Sequence, residues 1–459
     1  MTDINPTETS QTDLRSVLRT GLSRSLASLL IKVATAGLTY GMYVAMSRLL
    51  GEAEYGYFAF GLSLATVLAI GASMGQQTAI LRYWQEESVG GRPERARQAL
   101  RAGGTLTVIA GLFVSLALLA VTLVVQLFGE ASRPVAHLYA AAALILPMAL
   151  AEYWGAAVRA QGSVWTSQVP RDIVWRVAAP LAVVGLYALG DPVNGWQALL
   201  ITALTLALAL VLQYAWAERR GYQIAIGANG LADYWAERKG ASRWFLLGTV
   251  IDSAALNMDT IFVGLLVTPE DAGTYFNAFR TAGLLTLFMF ALTLVLAPMV
   301  ARHYHAGEMR KAQAITALCA WAGFGFSLVV FVGFYFFGDL LLSLFGGRHE
   351  DGWLILMLLS VGLLFDAATG PSRIVMMMTG HERDYVRIFG TIQVAAMLVQ
   401  LAVIPLWGSL GAAVVNMLAR IVSQLAIAWW SRRHIGLDTT LLGAFIIERH
   451  VDAPPNRRA

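Results

Sequence analysis

The sequence is poor in cysteine, in lysine and in charge of either sign. Its one cysteine, Cys319, lies in an apolar run, which excludes a disulfide within the chain and any metal site built on cysteines. Charged residues make up only 14% of the 459 residues, against about 25% in soluble domains. The phosphate-binding pattern GxxxxGKS/T does not occur, which argues against a nucleotide-hydrolysing site in this chain. This composition is not that of an ordinary soluble domain.

Long apolar runs take the place of the missing charge. Hydrophobic residues make up 57% of the chain, and its mean hydropathy is +0.61. A membrane-spanning helix needs about 20 mostly apolar residues. The runs therefore predict an all-α polytopic membrane protein with about twelve spans, at 26–47, 57–81, 103–128, 135–158, 172–190, 196–216, 244–267, 274–300, 312–337, 353–379, 385–406 and 410–430.

Cationic residues collect on one side of these spans. Of the 33 Lys and Arg residues, 25 fall in segments on the side of the N-terminus, which we call the basic side, and five fall within spans. The opposite, acidic side holds three cations and carries Glu52, Glu270 and Asp351. Because basic loops stay in the cytoplasm, both termini are predicted to be cytoplasmic. No basic stripe lies on a soluble face, so nucleic acid is not an expected partner.

Two stretches of the sequence repeat each other. LLGEAEYGYFAF (49–60) and LLVTPEDAGTYFNAF (265–279) each have an acidic turn, a glycine (Gly56, Gly273) and aromatic residues that open the next span. Their offset of about 217–220 residues predicts two parallel six-helix bundles around a central cavity. The predicted domains are a cytoplasmic N-terminal tail (1–24), a first bundle (25–216), a cytoplasmic linker (217–243), a second bundle (244–431) and a cytoplasmic C-terminal tail (432–459).

The same stretches carry a family resemblance. SRLLGEAEYGYFAF and NMDTIFVGLLVTPEDAGTYFNAFR resemble the polysaccharide transporter branch of the multidrug/oligosaccharidyl-lipid/polysaccharide (MOP) flippase superfamily, and most of all its Wzx-type flippases for O-antigen and exopolysaccharide units. The resemblance covers about residues 20–430. The lipid II flippases of the superfamily usually have fourteen helices, so the count of twelve separates this chain from that branch.

This resemblance implies a function. It implies a transporter, not an enzyme, in the bacterial inner (cytoplasmic) membrane. The transporter would flip undecaprenyl-pyrophosphate-linked oligosaccharide to the periplasmic leaflet by alternating access, in lipopolysaccharide or exopolysaccharide biosynthesis. The implied partners are the lipid-linked oligosaccharide, the lipid bilayer, and polysaccharide polymerase and chain-length proteins. No cofactor is implied.

Two other functions stay open at this point. Ion-coupled multidrug or metabolite antiporters of the same superfamily also have twelve helices. A repeat-unit polymerase or ligase is a third possibility, although such an enzyme normally has a large periplasmic loop, and the longest here, around 338–352, is short. A cavity rich in cations favours the flippase, and one rich in acids favours export of cations.

Cations within spans are the predicted substrate-binding residues. Arg420, Arg280 and Lys32 are expected to face the cavity, because a buried charge needs a cavity or a partner and arginine binds phosphate through two oxygens at once. A structural ion pair is the alternative for Arg420, and reach to the interface is the alternative for Lys32. For Arg280 the alternatives are reach of the side chain to the membrane interface, or pairing with Glu270 or Asp271. The remaining two, Arg176 and Arg373, are expected to reach the interface.

Acids within spans are the predicted ion-coupling or charge-pairing residues. These are Asp259, Asp366 and Asp252. Asp259 is expected either to pair with a buried Arg or Lys or to bind the coupling ion, because a lone buried carboxylate is costly when ionised. Asp366 precedes a predicted helix break at Gly370-Pro371, and broken helices often line transporter cavities. No cluster of His, Cys and Asp has metal-binding spacing, so no metal site is expected.

Overall fold

The computed structural model describes residues 30–128, 135–190, 192–227, 229–346 and 351–446, and these ranges contain helices and no strand. The helices are α1 (30–49), α2 (Glu52–Ala72), α3 (Gln76–Val89), α4 (Pro93–Phe128), α5 (Ala136–Ala160), α6 (Val164–Val169), α7 (Trp175–Ala188), α8 (Gly195–Arg219), α9 (Leu231–Leu266), α10 (Pro269–Ala282), α11 (Leu287–His305), α12 (Met309–Ser343), α13 (Gly352–Thr369), α14 (Ser372–Met378) and α15 (Glu382–His434).

These helices make twelve passes within the described ranges. Four passes are bent pairs: α2 with α3, α6 with α7, α10 with α11, and α13 with α14. Helix α15 is two passes joined at Gly408, whose φ of 59° and ψ of −147° interrupt the helix. Eight of the described helical stretches are long and apolar enough to cross a membrane. The all-α polytopic fold is confirmed, and each predicted span coincides with one pass.

The bends have local causes. The predicted break at Gly370-Pro371 is confirmed, since α13 ends at Thr369 and Gly370 takes a φ of +67° that favours glycine. The π-helical turn Pro170–Val174 joins α6 to α7, and the 3₁₀ turn Gly283–Thr286 joins α10 to α11. Sequence reasoning did not predict these two turns, because they keep the chain helical and leave no gap in the apolar pattern.

Buried apolar side chains form four clusters among the described residues, and the two largest lie inside the halves. The first is built by α1, α2, α5, α7 and α8 around Phe58 and Leu144. The second is built by α9, α10, α12, α13 and α15 around Tyr275 and Leu359. Many members are alanines, whose small side chains let helices approach closely in a membrane. Each cluster lies mostly within one predicted bundle; the bundle boundaries themselves stay a prediction.

The two repeated turns meet each other at the acidic side. A Cβ on Gly56 would lie 1.8 Å from the carbonyl oxygen of Pro269, and one on Gly273 would lie 3.2 Å from Cδ1 of Tyr55. The hydroxyl of Tyr55 donates to Oδ1 of Asn277 at 2.6 Å. Arg48 donates to the backbone carbonyl of Ser343 at 3.2 Å. The two halves are therefore in close contact at this end of the molecule.

One edge of the interface between the halves is closed along its length, because α2 packs along α9. Near the acidic side, a Cβ on Gly264 would lie 2.6 Å from the ring of Phe60. Near the basic side, Gly75 packs against the backbone of Leu246, and Nε2 of Gln76 lies 3.3 Å from Oγ of Ser242.

The basic loops meet at one end of the molecule, as the alternation of loop charge predicts. Nε2 of Gln85 donates to the carbonyl of Ala160 at 2.9 Å, which joins the ends of α3 and α5. The amide of Gln161 in turn donates to the carbonyl of Gln223 at 2.8 Å, after α8. The second part of the predicted linker is the first turns of α9, where Arg238 binds Glu87 at 2.8 Å.

Candidate functional site

A cluster of five charged side chains lies inside the first half. Lys32 on α1 donates to Asp172 at 3.1 Å, and Arg171 donates to Glu152 on α5 at 2.6 Å. Nε of Arg171 lies 3.4 Å from the same Asp172, and Nη1 of Arg176 lies 4.0 Å from it. Asp172 is only 4% exposed and so serves as the shared anion of three cations. We call these residues the first-half cluster.

The first-half cluster borders a small polar cavity. Glu152, Arg171, Asp172 and Arg176 line a space of about 60 Å³ beside Trp175. That volume accommodates a few water molecules. Nε of Arg176 is buried and has no hydrogen-bond partner. The cluster therefore carries three cations against two anions and keeps one donor unused.

Sequence reasoning found only part of this cluster. Lys32 was expected to face the cavity or reach the interface, and the structure pairs it with Asp172 instead. Arg171 and Asp172 were not among the predicted site residues; both lie on the π-helical turn Pro170–Val174, where Asp172 is buried and Arg171 is partly buried. The expected reach of Arg176 to the interface is wrong, since its Nη1 donates to the carbonyl of Asp172 at 2.8 Å. The sequence PRDIVWR, with three charges in an apolar pass, was the available signal.

Two ion pairs lie inside the second half. Arg373 on α14 donates to Asp252 on α9, and Nη1 of Arg420 on α15 lies 3.8 Å from Oδ2 of Asp366 on α13. Arg373 is 47% exposed, and Asp366 is 31% exposed. Of the alternatives open for Arg420, the structural pair is therefore observed, at the long end of ion-pair distances. Arg373 was expected to reach the membrane interface, and in the structure it pairs with the carboxylate of Asp252.

Arg280 occupies the contact between the halves. Its Nη2 donates to Oδ1 of Asn257 at 3.0 Å, and its guanidinium lies 4.6 Å from the ring centre of Phe276 and 5.8 Å from that of Tyr43 on α1. Pairing with Glu270 or Asp271 is wrong: among the described residues no carboxylate lies within 4.0 Å of Arg280. Its Nε is buried without an acceptor. Arg280 is thus a partly buried cation held by neutral groups.

Asp259 is held by neutral groups as well. It accepts hydrogen bonds from the hydroxyl of Tyr275 at 2.6 Å, from Nε2 of Gln400 at 2.8 Å, and from Nδ2 of Asn416. The expected partner Arg or Lys is wrong for the described residues, since none lies within 4.0 Å of Asp259. Oε1 of Gln400 is buried and has no donor. Three neutral donors thus compensate the carboxylate of Asp259 without a cation.

The arrangement separates the predicted site residues into four places. Lys32 lies in the first-half cluster, Arg280 at the contact between halves, Asp252 and Asp366 in the two second-half pairs, and Asp259 in its own polar group. Within the described residues, no group of three or more His, Cys, Asp or Glu side chains has the geometry to hold a metal ion. The cations of these groups could bind an anion.

Comparison with known families shows to which family the chain belongs. Residues 22–304 match the family described as polysaccharide biosynthesis protein, which covers more than half of the chain. The chain belongs to this family. Residues 246–377 match the MatE family, so both matches lie within the MOP flippase superfamily, as the two repeated stretches had indicated. No curated protein matches the chain.

Solved structures agree on the fold of this family member. An inward-facing multidrug resistance MATE transporter of the MOP superfamily shares 14% identity, with a TM-score of 0.66 over 91% of this chain and 96% of that one. A mutant MATE transporter of Vibrio cholerae shares 15%, with a TM-score of 0.61 over 92% and 97%. A MOP superfamily transporter from Pyrococcus furiosus shares 17%, with a TM-score of 0.58 over 91% and 95%. At these identities the likeness shows the fold alone, that of a membrane transporter.

Proposed function

We propose that this MOP superfamily transporter flips a lipid-linked oligosaccharide with an anionic phosphate head group across the bacterial inner membrane, in polysaccharide biosynthesis. Arg280 is the observation that carries the proposal. It is a partly buried cation at the contact between the halves, it has no carboxylate partner among the described residues, and its buried Nε is unused. A guanidinium in this state gains a strong, bidentate partner when a phosphate arrives.

The head group approaches Arg280 from the basic side. The repeated turns close the acidic side through the contact of Gly56 with Pro269, and Arg280 lies about 16 Å below that end, eleven residues into α10. The polar cluster of the first half and the pairs of the second half form the walls. Lys32, Arg176 and Arg373 would supply further cations along this path. Rocking of the halves would then open the acidic side.

Asp259 is our proposed coupling-ion site. Its carboxylate is compensated by three neutral donors and the Oε1 of Gln400 is a further unused acceptor, so a proton or sodium ion can bind there without displacing an arginine or lysine. Residues from α9, α10 and both passes of α15 meet there. Binding of an ion would therefore change how these helices pack against one another, which is what coupling requires.

The proposal is tested by a leaflet assay. The purified protein is reconstituted in liposomes with a fluorescent undecaprenyl-pyrophosphate oligosaccharide, and the head group in the outer leaflet is quenched or cleaved. We expect protein-dependent translocation, its loss in Arg280→Ala and partial recovery in Arg280→Lys. The matched control is Arg97→Ala, which removes an exposed arginine paired only with Glu94.

Two outcomes would contradict the flippase function. Arg280→Ala with normal translocation would remove the role of Arg280. Absence of translocation by the folded wild type, together with ion-driven uptake of cationic dyes, would instead support the antiporter alternative. The coupling role is tested separately: Asp259→Asn is expected to abolish the dependence of translocation on a proton or sodium gradient, and an unchanged dependence would rule it out.

A further inference from the structure

The chain beyond α15 folds back onto the second half. Residues 435–446, which we call the strap, belong to the predicted cytoplasmic tail. Ile435, Leu437 and Thr439 are buried within it. The strap ends in a short 3₁₀ turn, Leu441–Ile446. A segment with buried apolar side chains has a fixed position, unlike a solvated tail.

One buried side chain holds the strap in place. Gln313 on α12 is 3% exposed. Its Nε2 donates to the carbonyls of Asp438 at 2.7 Å and Gly443 at 3.2 Å, and its Oε1 accepts from the backbone N–H of Asp438 at 2.9 Å. A single side-chain amide thus pairs with the backbone at both ends of a tight turn. Thr440 closes the turn internally by donating to Oδ1 of Asp438 at 2.7 Å.

The strap also covers the break between α13 and α14. The hydroxyls of Ser372 and Thr439 lie 2.7 Å apart, and a Cβ on Gly370 would lie 2.2 Å from the carbonyl oxygen of Thr439. The next residue after Ser372 is Arg373, which pairs with Asp252. The strap is therefore packed directly against the segment that presents Arg373.

The outward face of the strap is apolar. Leu442 is 63% exposed and Phe445 is 73% exposed. Beside them the indole N–H of Trp321 donates to the carbonyl of Leu441 at 3.1 Å. Leu318, one turn before Trp321 on the same helix, is also exposed. Exposed apolar side chains in a continuous patch mark a surface that is covered in the native environment.

The depth of this patch identifies what covers it. The hydrocarbon core is about 30 Å thick, which corresponds to about 20 helical residues. Counting back from Asp339 near the acidic end of α12, the core reaches the basic side at about residue 319. Trp321 lies at that boundary, where indole rings collect. The strap is therefore at the level of the head groups, continuous with the lipid-facing surface of α12.

We propose that the strap is a membrane-surface anchor, with Leu442 and Phe445 inserted into the leaflet on the basic side. Short apolar segments at this depth bind by burying area at the boundary between head groups and acyl chains. The occupant of the patch is thus lipid. The strap would then contact the bilayer on one side and the break after α13 on the other. These two contacts would fix the position of the backbone that carries Arg373.

Site-directed spin labelling tests this proposal. The label is attached at Phe445→Cys in a Cys319→Ala background, and its accessibility to oxygen and to a water-soluble nickel complex is measured in liposomes. Leu318→Cys serves as the lipid control and Val89→Cys, exposed at the end of α3, as the water control. If Cys319→Ala does not fold, the native buried cysteine is kept, since it is shielded from the label.

The expected result is an oxygen-to-nickel ratio at residue 445 close to that at residue 318 and several-fold above that at residue 89. A ratio equal to that at residue 89 would overturn the proposal. Gln313→Leu removes the hydrogen bonds that hold the strap and retains side-chain bulk. We expect faster motion of the label at residue 445 in that variant; unchanged motion would show that the strap is not held as proposed. Neither readout depends on flippase activity.

Discussion

The first passes of the two halves carry charges of opposite sign at nearby positions of the repeat. Lys32 on α1 and Asp252 on α9 are 220 residues apart, about one helical turn from the offset of 217 residues that relates Gly56 to Gly273. Each pairs inside its own half, Lys32 with Asp172 and Asp252 with Arg373. The pairs differ in burial: Asp172 is almost fully enclosed, whereas Arg373 is half-exposed. The repeat has preserved an ion pair at this place and has changed both its polarity and its accessibility.

The difference in exposure between Asp172 and Arg373 indicates that the two halves have different properties. A buried, shared anion such as Asp172 stabilises a rigid arrangement, because removing it leaves cations without compensation. A half-exposed arginine such as Arg373 is free to exchange its partner, because water compensates either group. On this comparison the first half holds its cations in a fixed arrangement, and the second half holds an arginine that is able to exchange its partner.

Neutralising Asp172 or Asp252 is expected to show the difference between the two halves most clearly. Asp172→Asn should lower the free energy of unfolding by about 3–5 kcal/mol, because three cations lose their shared partner in a buried site. Asp252→Asn should cost about 0–1 kcal/mol, since Arg373 is solvated. Thermal unfolding in detergent, followed by tryptophan fluorescence, measures both. Glu94→Gln on the exposed part of α4 is the control. Equal losses in the two variants would refute the comparison.

Alanine at Gly56 and alanine at Gly273 are expected to differ in how far they open the acidic side, and this difference should be smaller than the one above. Gly56→Ala should push the halves apart at the acidic side, because its Cβ would collide with the backbone of Pro269, which cannot rotate away. Gly273→Ala should have a smaller effect, because its Cβ would lie 3.2 Å from the ring of Tyr55, a contact that a shift of a few tenths of an ångström relieves. Accessibility of cysteines placed at the acidic side to a water-soluble reagent reports the opening.

The control for this pair is Gly51→Ala, where a Cβ has no neighbour within 4 Å. A Gly56→Ala protein with the accessibility of Gly51→Ala would show that the turns do not form the closure. Equally increased accessibility in Gly56→Ala and Gly273→Ala would show that the closure is symmetric, contrary to the comparison.

The smallest expected effect lies in the basic loops. Hydrogen bonds from Lys311 and His303 lower the pKa of Glu308 below its ordinary value of 4.5. The folded protein therefore binds this proton less readily than the unfolded chain, so the contribution to stability is full above that ordinary pKa and disappears as the pH falls through the lowered value. Melting temperatures measured between about pH 6 and pH 3 should fall slightly less in Glu308→Gln than in wild type.

The matching carboxylate in the first half is Glu87, which is buried between Arg92 and Arg238. Glu87→Gln should lower the melting temperature at neutral pH, where Glu308→Gln is expected to change it little. Identical melting temperatures for the two variants at neutral pH would contradict a difference between these loops.

The sequence was sufficient for the passes and for their alternation. Apolar runs about 20 residues long have few alternatives in a polytopic protein, and the Gly370-Pro371 break follows from backbone chemistry alone. Local signals of this kind depend on a few neighbouring residues. They hold whatever the rest of the chain does.

Side-chain partners were beyond the reach of sequence reasoning. Lys32 meets Asp172 across 140 residues and Asp259 meets Gln400 across 141, so each contact depends on how several helices pack. An arginine or lysine was the expected partner of Asp259 because burial of a carboxylate requires compensation, and three neutral donors supply that compensation instead. The folded strap was likewise missed, because its apolar residues are too few and too irregularly spaced for a span or a periodic helix.

The seam between α2 and α9 is closed from end to end, whereas on α1 neither Gly37 nor Gly41 has a neighbour within 4 Å of where a side chain would start. For the proposed lipid-linked cargo, a passage closed on one edge would admit the head group sideways through the other. A molecule with a polar head and a long apolar tail would then need no channel wide enough for both. The head would cross between the halves while the tail stayed outside in the lipid, so the passage would have only to fit the smaller and more polar part.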